Sequence, residues 1–271
     1  MQAQMAARTG FSRFLVLGGD GSFQDLLNAL VGFPDAILAI LPAGGGNDLA
    51  DAVGLPHQPI RSAELLQNGE VCRMDAVRVK TSDGKERLYT GGGGVGLDAL
   101  AVHFASTSFR MLTGRLRYML SGARALLDYT PVQVCIQIRS SDISPPLLEA
   151  TALLLAVLNT PSYGAGLRFA PSASINDGSL DLVLVEDMPF FQLLKALPRL
   201  IVRGEVRSPR VKRLSVQSLT IHTTVPTLFH GDGEILGYTP VEIEVVPQAF
   251  RILCPPGSPL SRAESRRTSA K

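Results

Sequence analysis

The first third of the chain repeats one hydrophobic pattern, in which a short apolar run leads through glycines into a helical spacing. Residues 14–17 are apolar and end in glycines, and between residues 23 and 31 the apolar side chains recur with helical periodicity. Residues 36–41 predict a second strand, followed by three glycines and a short helix over 47–53. Two strand–loop–helix units in succession predict a parallel sheet whose loops gather at its C-terminal edge.

Beyond residue 70 the pattern changes to short runs of strand-forming residues separated by turn signals. Helices are predicted at 62–67 and 109–127, and strands at 74–79, 132–138, 151–158, 180–185, 214–221 and 241–246. We therefore expect a small α/β domain at residues 1–72 with a return at 250–258, and a β-rich domain at 73–249. Residues 259–271 are expected to form a disordered tail.

Composition and charge argue against several classes of protein. The 271 residues are 45% hydrophobic and 18% charged, as in a globular protein, and the formal charge of +2 does not indicate a nucleic-acid-binding protein. The three cysteines form no CxxC pair and are expected to be reduced thiols of a cytoplasmic protein. The longest apolar run, residues 150–158, is about half of a membrane span, so any contact with a bilayer would be peripheral.

The two glycine-rich loops are the strongest local signals for chemistry. Residues 18–22 read GGDGS and residues 42–48 read PAGGGND. Glycines let the backbone approach a phosphate closely, and the amide groups of the next helix point towards the anion. Asp20 would act through Mg²⁺ or position the nucleophile. For Asn47 and Asp48, capping of the following helix is an equally good interpretation.

Six motifs in one order resemble the catalytic domain shared by diacylglycerol, sphingosine and ceramide kinases. GGDGS at residues 18–22 and LPAGGGNDLA at 41–50 are similar to the GGDGT and PLGTGNDFA pair of that family. Four later segments continue the resemblance: GVGLDA at 94–99, NTPSYGAG at 159–166, AP at 170–171 with NDGSLD at 176–181, and DGE at 232–234. The resemblance implies an α/β nucleotide domain followed by an antiparallel β-sandwich, with the active site in the cleft between them.

The same resemblance implies an ATP-dependent lipid kinase and assigns its residues. Glu234 would accept the proton of the lipid hydroxyl, with Asp232 beside it and Asp20 facing Mg²⁺. The ligands of a second, structural Mg²⁺ would be the Asp177 carboxylate and the carbonyl groups of Ser174 and Ser179, although a plain hairpin turn explains this segment equally well. The residues that would bind ATP are Gly19, Asp20, Gly21, Ser22, Phe23, Gln24, Asp25, Gly44, Gly45 and Asn47.

Some features depart from the family pattern and leave alternatives open. The chain starts at the strand before GGDG, without the earlier βαβ unit usual in the family, so the nucleotide domain is expected to be truncated at its N terminus. The chain could be a fragment, could have a mis-set start, or could pair with a partner, such as a second copy in a homodimer, that covers the apolar surface left open. Gly45 stands where the family usually has a threonine. A catalytically degenerate protein that binds nucleotide or membrane, and an NAD kinase, are the alternative functions.

The helix predicted at 109–127 has two possible environments. Its apolar side chains could pack into the core beneath a solvated basic face, or the helix could face a membrane and attract anionic lipid. The residues concerned are the basic Arg110, Arg115, Arg117 and Arg124 and the apolar Leu112, Leu116, Met119, Leu120 and Leu127.

Overall fold

The computed structural model describes residues 2–112, 114–139, 147–164, 166–189 and 208–261. The helices in these ranges are α1 (Gln2–Arg8), α2 (Asp20–Leu30), α3 (Asp48–Val53), α4 (Pro59–Gln67), α5 (Leu97–Ser106) and α6 (Gly114–Asp128). The strands are β1 (Arg13–Gly18), β2 (Ile37–Pro42), β3 (Glu70–Thr81), β4 (Glu86–Tyr89), β5 (Gly92–Gly96), β6 (Val132–Ile138), β7 (Leu147–Leu158), β8 (Leu180–Glu186), β9 (Val211–Val216), β10 (Ser218–Thr223), β11 (Leu228–Gly231), β12 (Glu234–Tyr238) and β13 (Val241–Cys254).

The N-terminal part is a parallel arrangement of β1, β2 and the end of β13. β1 and β2 pair in parallel along their whole length, and Arg251 and Ile252 of β13 continue the sheet on the other side of β2. Phe23 and Leu27 of α2 pack into the core beneath this sheet together with Leu49 and Val53 of α3. The apolar residues of α2 have the helical spacing that the sequence predicted, and the short helix predicted at 47–53 is α3.

Two long strands join this parallel part to the antiparallel remainder of the sheet. β3 and β13 pair from Val241 to Cys254, with one irregularity between Val246 and Phe250. Before it β13 also pairs with β10, and after it β13 pairs with β2. Gln248, with φ of 49°, lies in this bulge, which bends the strand from one part of the sheet into the other.

The C-terminal part is built from antiparallel strands that enclose a second core. The strands follow the order β13–β10–β6–β7–β5–β11–β12, and β8 and β9 extend from β7. Val95, Leu155, Leu182 and Phe229 are among its fully buried side chains. The predicted fold class, a parallel α/β part followed by an antiparallel β-sandwich, is confirmed. The predicted division between residues 72 and 73 falls inside β3 and stays a prediction.

Several element predictions were wrong in detail. Residues 2–8, for which no element was predicted, form α1, which packs on the first core through Ala3 and Ala7. The single strand expected at 214–221 is two strands, β9 and β10, separated at Gln217. α5 was not predicted. Leu260 is fully buried in the first core, so residues 259–261 are not part of a disordered tail; residues 262–271 lie outside the described residues.

Within the described part of the chain, no helix is both long and apolar enough to cross a membrane.

Candidate active site

The two glycine-rich loops lie against each other, as expected for the ends of neighbouring parallel strands. A Cβ atom on Gly44 would lie 2.5 Å from the Cα atom of Gly19, so the two backbones are in direct contact. No side chain larger than hydrogen fits at Gly44 without moving the first loop. Gly44 is therefore required for packing in addition to any role in binding phosphate.

Asp20 connects the two loops through its carboxylate. Its oxygens accept hydrogen bonds from the backbone amides of Asp48 (3.2 Å) and Leu49 (3.0 Å) at the start of α3. Burial raises the pKa of Asp20, and the backbone donors act in the opposite direction. The sequence offered Asn47 or Asp48 as the cap of α3, but the capping carboxylate comes from α2 instead.

Asn47 closes the second loop on itself. It adopts a left-handed conformation with φ of 61° and is almost fully buried. Its side-chain oxygen accepts a hydrogen bond from the Gly44 amide, and its side-chain nitrogen donates to the Gly44 carbonyl, both at 2.9 Å. Because both polar atoms bind the loop backbone, Asn47 fixes the shape of the predicted nucleotide loop.

The DGE segment forms a two-residue hairpin turn between β11 and β12. Gly231 pairs with Glu234 across the turn, and Asp232 and Gly233 have φ of 49° and 79°. Positive φ at both central positions is the geometry of a type I′ turn, for which Asp-Gly is a preferred sequence. The turn orients the Asp232 side chain inward and begins β12 at Glu234.

The Asp232 carboxylate is saturated with hydrogen bonds. Its Oδ2 accepts from the Thr90 amide (2.7 Å) and hydroxyl (2.9 Å), and its Oδ1 accepts from the amides of Gly91 (2.9 Å) and Gly92 (3.1 Å). Burial and the nearby Asp20 carboxylate raise the pKa of Asp232 to about 6, against the effect of these donors. A carboxylate with four donors has its lone pairs occupied, so this arrangement suits holding the hairpin in place better than moving a proton.

Glu234 is brought against the first glycine loop. A Cβ atom on Gly21 would lie only 2.7 Å from Glu234 Oε1, so the carboxylate occupies the space that the glycine leaves open. The side chain is half-buried, and burial followed by the charge of Asp25 raises its pKa, while Arg87 lowers it. Asp25 and Arg87 form an ion pair at 3.0 Å. The fold thus unites residues that are more than 200 positions apart in the sequence.

The predicted nucleotide-binding residues of α2 divide into two groups. Gly21, Ser22 and Asp25 lie at least partly at the surface, whereas the side chains of Phe23 and Gln24 are fully buried. Phe23 packs on Phe250 with ring centroids 5.8 Å apart. Phe23 and Gln24 could therefore contact a nucleotide only through their main chains. The glycines at 44 and 45, with Asn47, line a separate open depression of about 350 Å³.

A cavity of about 330 Å³ begins at the acidic end of the site and continues into an apolar chamber. Asp20, Asp48 and Asp232 line the acidic end. Tyr118 of α6 lies nearby, and its pKa is raised by burial and by the carboxylates of Asp20, Asp48 and Glu234. The apolar walls come from α5, α6, β7, β8 and neighbouring segments: Leu97, Ala101, Val102, Leu126, Leu153, Leu154, Leu167, Phe169, Val185, Met188 and Val211.

A buried polar network also lines this cavity. The Tyr163 hydroxyl lies 2.7 Å from Asp98 Oδ2 and within hydrogen-bonding distance of His230 Nε2, which is 3.2 Å from the same carboxylate oxygen. His230 Nδ1 has no hydrogen-bond partner among the described residues. The sequence alone indicates no role for His230, because its partners are distant in sequence and only the fold brings them together.

The turn predicted to bind a structural Mg²⁺ is held by a buried carboxylate that the sequence analysis missed. Asp75 accepts hydrogen bonds from the amides of Gly178 and Gln248, both at 2.7 Å. Asp177 accepts one from the Ser179 amide at 3.0 Å and is otherwise exposed. Burial and the charge of Asp177 raise the pKa of Asp181 to about 6. The ligand set Ser174, Asp177 and Ser179 stays a prediction.

Comparison with known proteins supports the family resemblance. The family model described as the YegS C-terminal NAD kinase beta sandwich-like domain matches residues 91–254, and that of the diacylglycerol kinase catalytic domain matches residues 2–79. The chain is 29% identical to a diacylglycerol kinase of Mycobacterium tuberculosis over 252 residues, which are 92% of this chain and 79% of the relative.

Two further comparisons agree with these matches. The chain is 27% identical over 260 residues to the protein named "Probable lipid kinase YegS" from Salmonella schwarzengrund, with 95% of this chain and 83% of that protein covered. A diacylglycerol kinase crystal structure from Bacillus anthracis, 22% identical, has a TM-score of 0.68 over 94% of this chain and 80% of its own, which shows a shared fold. The chain therefore belongs to the family of diacylglycerol kinases and YegS-type lipid kinases.

Proposed function

We propose that this chain is an ATP-dependent kinase that transfers the γ-phosphate to the hydroxyl group of a diacylglycerol-like or sphingoid lipid. The observation that carries the proposal is the continuous cavity with acidic residues at one end and apolar walls beyond them. Phosphoryl transfer to an alcohol requires the first environment, and the hydrocarbon chains of a lipid require the second. NAD is a polar, charged substrate and would not fill an apolar chamber of this size, so the cavity disfavours an NAD kinase.

The nucleotide would bind along the two glycine loops. Gly19 and Gly21 let the first loop approach Gly44 and Glu234 closely, and Gly44 and Gly45 line the depression beside the second loop. The start of α2 would direct backbone amides at the phosphates. Asn47 already uses its side chain to hold the second loop, so its support of ATP binding would be through loop shape. Asp20 would support ATP binding both by joining the two loops and by facing Mg²⁺.

Glu234 is the proposed proton acceptor. Its carboxylate is half-buried beside the first loop, and its raised pKa makes it a better base than an exposed glutamate. As the lipid oxygen attacks the γ-phosphorus and ADP leaves, Glu234 would take the hydroxyl proton. Asp232, with its four hydrogen bonds, would position Glu234 by fixing the hairpin, and Asp20 would hold the two loops together.

Mg²⁺ is the expected companion of ATP, and the donor chemistry at this site fits it. Asp20 and Asp48 supply carboxylate oxygens at the acidic end of the cavity. No group of three acidic, histidine or cysteine side chains in the described ranges could hold a metal by itself. This agrees with a Mg²⁺ held by one or two carboxylates, the phosphates and water. When bound, the ion would neutralise charge on the β- and γ-phosphates.

The substrate implies where the protein works. We propose a cytoplasmic enzyme that visits the bilayer from the side, since its substrate resides there. The edge strand β1 exposes Leu15 and Leu17, and a homodimer would be one way to cover them. The α/β part would bind ATP, and the β-rich part would bind lipid.

Transfer of labelled γ-phosphate tests the proposal. The purified chain, Mg²⁺ and labelled ATP are incubated with diacylglycerol in mixed micelles, with sphingosine, or with NAD. The expected product is a labelled phospholipid from one of the lipids. Labelled NADP alone would identify an NAD kinase, and ATP binding without any product would identify a protein that has lost turnover.

A further inference from the structure

α6 exposes apolar side chains where a core helix would bury them. Leu116, Met119 and Leu127 are 55%, 70% and 79% exposed, and Met111 just before the helix is 87% exposed. Leu116, Met119 and Leu127 follow the helical spacing and lie on one face. Packing into the core, one of the two environments considered from the sequence, is therefore wrong for these residues.

A neighbouring face of α6, roughly 100° around the helix from the exposed apolar side chains, borders the cavity. Tyr118, Gly122 and Leu126 line it, and Ser121 and Ala125 between them are fully buried. The exposed apolar face of α6 therefore adjoins the face that borders the apolar chamber. An apolar chamber beside an exposed apolar helix face is the arrangement expected where a lipid passes from a bilayer into a protein.

The charged residues of α6 and of the segment just before it are mainly basic. Between Asp98 and Asp128 the sequence contains four arginines and no carboxylate. Arg110 is exposed, and Arg124, also exposed, lies 5.7 Å from the centre of the Phe104 ring and pairs with Asp128. Basic side chains beside an exposed apolar face complement an anionic bilayer surface, where each is attracted by the lipid charge.

We propose that the outer face of α6, defined as Met111, Leu116, Met119 and Leu127, inserts into the interface of an anionic bilayer and sets the cavity against it. The proposal rests on the proposed function for its lipid substrate, and it adds where the membrane contacts the protein. It commits to a bilayer as the occupant, because the chamber beside the helix is apolar and the charge of the helix and its preceding segment is mainly positive.

Vesicle co-sedimentation of the full chain, without nucleotide, tests this surface. Met119→Gln with Leu127→Gln removes two exposed apolar side chains and keeps helix-forming residues. It should weaken binding to phosphatidylglycerol–phosphatidylcholine vesicles by roughly 10- to 100-fold. Arg110→Gln should weaken binding about fivefold, and only on vesicles that contain phosphatidylglycerol. The matched control is Ile60→Gln with Val225→Gln, two exposed apolar residues elsewhere, which should leave binding unchanged.

Three results of these binding measurements would overturn the proposal. Wild-type protein that binds neither vesicle type, or α6 and control variants that bind equally, would exclude this face as the contact. A dimer in light scattering that Met119→Gln with Leu127→Gln converts to a monomer, with vesicle binding intact, would assign the face to a second copy. Because no turnover is measured, vesicle binding through α6 without kinase activity would leave this proposal standing and contradict only the proposed function.

Discussion

Gly21→Ala separates the position of the proposed base from the stability of the fold. Gly21 lies in the first turn of α2, and its missing side chain leaves room for Glu234. A methyl group there would lie 2.7 Å from Glu234 Oε1, whereas an ordinary contact is at least 3.4 Å. The carboxylate, as the far end of a flexible side chain, would have to move by about 0.7 Å.

The expected effects on stability and on turnover have opposite signs. Alanine is a better helix former than glycine by roughly 0.5–1 kcal/mol, so the free energy of unfolding should stay the same or rise. Displacement of a catalytic group by close to 1 Å can lower the rate about 100-fold, so kcat should fall by one to two orders of magnitude. Urea unfolding and labelled-phosphate transfer measure the two quantities, and a binding titration gives the affinity for ATP.

Gly32→Ala is the matched control, because a Cβ atom at Gly32 meets no other atom within 4 Å. In the Glu234→Gln background, Gly21→Ala should add little further loss, since both changes act on one carboxylate. A loss of ATP affinity parallel to the loss of kcat would refute this reasoning, because Gly21 would then act on the nucleotide.

Three other predictions concern the supporting structure. Asp232→Ala leaves three backbone amides without acceptors and should lower the free energy of unfolding by about 3 kcal/mol or more. Asp232→Asn should cause a smaller loss. Unchanged midpoints of urea unfolding would show that these hydrogen bonds are not needed for stability. If Asp177 binds a structural Mg²⁺, added Mg²⁺ should raise the melting temperature of the wild type and not of Asp177→Ala, whereas no shift in the wild type would favour a plain turn. Asp181 has a pKa of about 6 in the folded protein against 3.8 as its ordinary value, so its contribution to stability is fully present below pH 4 and is lost as pH rises through 6. Because the Asp181 side chain is half-exposed, Asp181→Asn should remove only about 1 kcal/mol of this pH dependence. Identical pH profiles of the unfolding free energy for the wild type and Asp181→Asn would exclude a contribution from Asp181.

The local pattern of apolar and polar residues was sufficient to predict those helices and strands whose environment is uniform along their length. β6 was predicted at its observed bounds because its residues alternate between buried and exposed positions. β13 was predicted only up to Val246, since Pro247 and Gln248 interrupt the pattern and the strand continues only after a bulge. α5 follows a glycine strand and is nearly apolar throughout, so its periodicity is too weak to mark a helix.

The candidate site was predictable in its residues but not in their partners. The sequence pointed to Asp20, Asp232 and Glu234 through motif resemblance, and the structure brings them to one region. The sequence could not reveal that Asp20 caps α3, because the contact between Asp20 and the Asp48 amide spans 28 residues and depends on the two loops touching. Asn28, which accepts from the Leu88 amide and so ties α2 to β4, was missed for the same reason.

Proton transfer by Glu234 is most directly tested by Glu234→Gln, measured for both ATP affinity and kcat with the lipid that is phosphorylated. The account predicts a fall in kcat of roughly 10²- to 10⁴-fold, with ATP affinity nearly unchanged. Asp20→Asn should weaken both quantities, because Asp20 holds the loops and faces the metal. Asp35→Asn, which alters a carboxylate that is 97% exposed, should change neither. Turnover near the wild-type value in Glu234→Gln would contradict the account and assign the proton to another group.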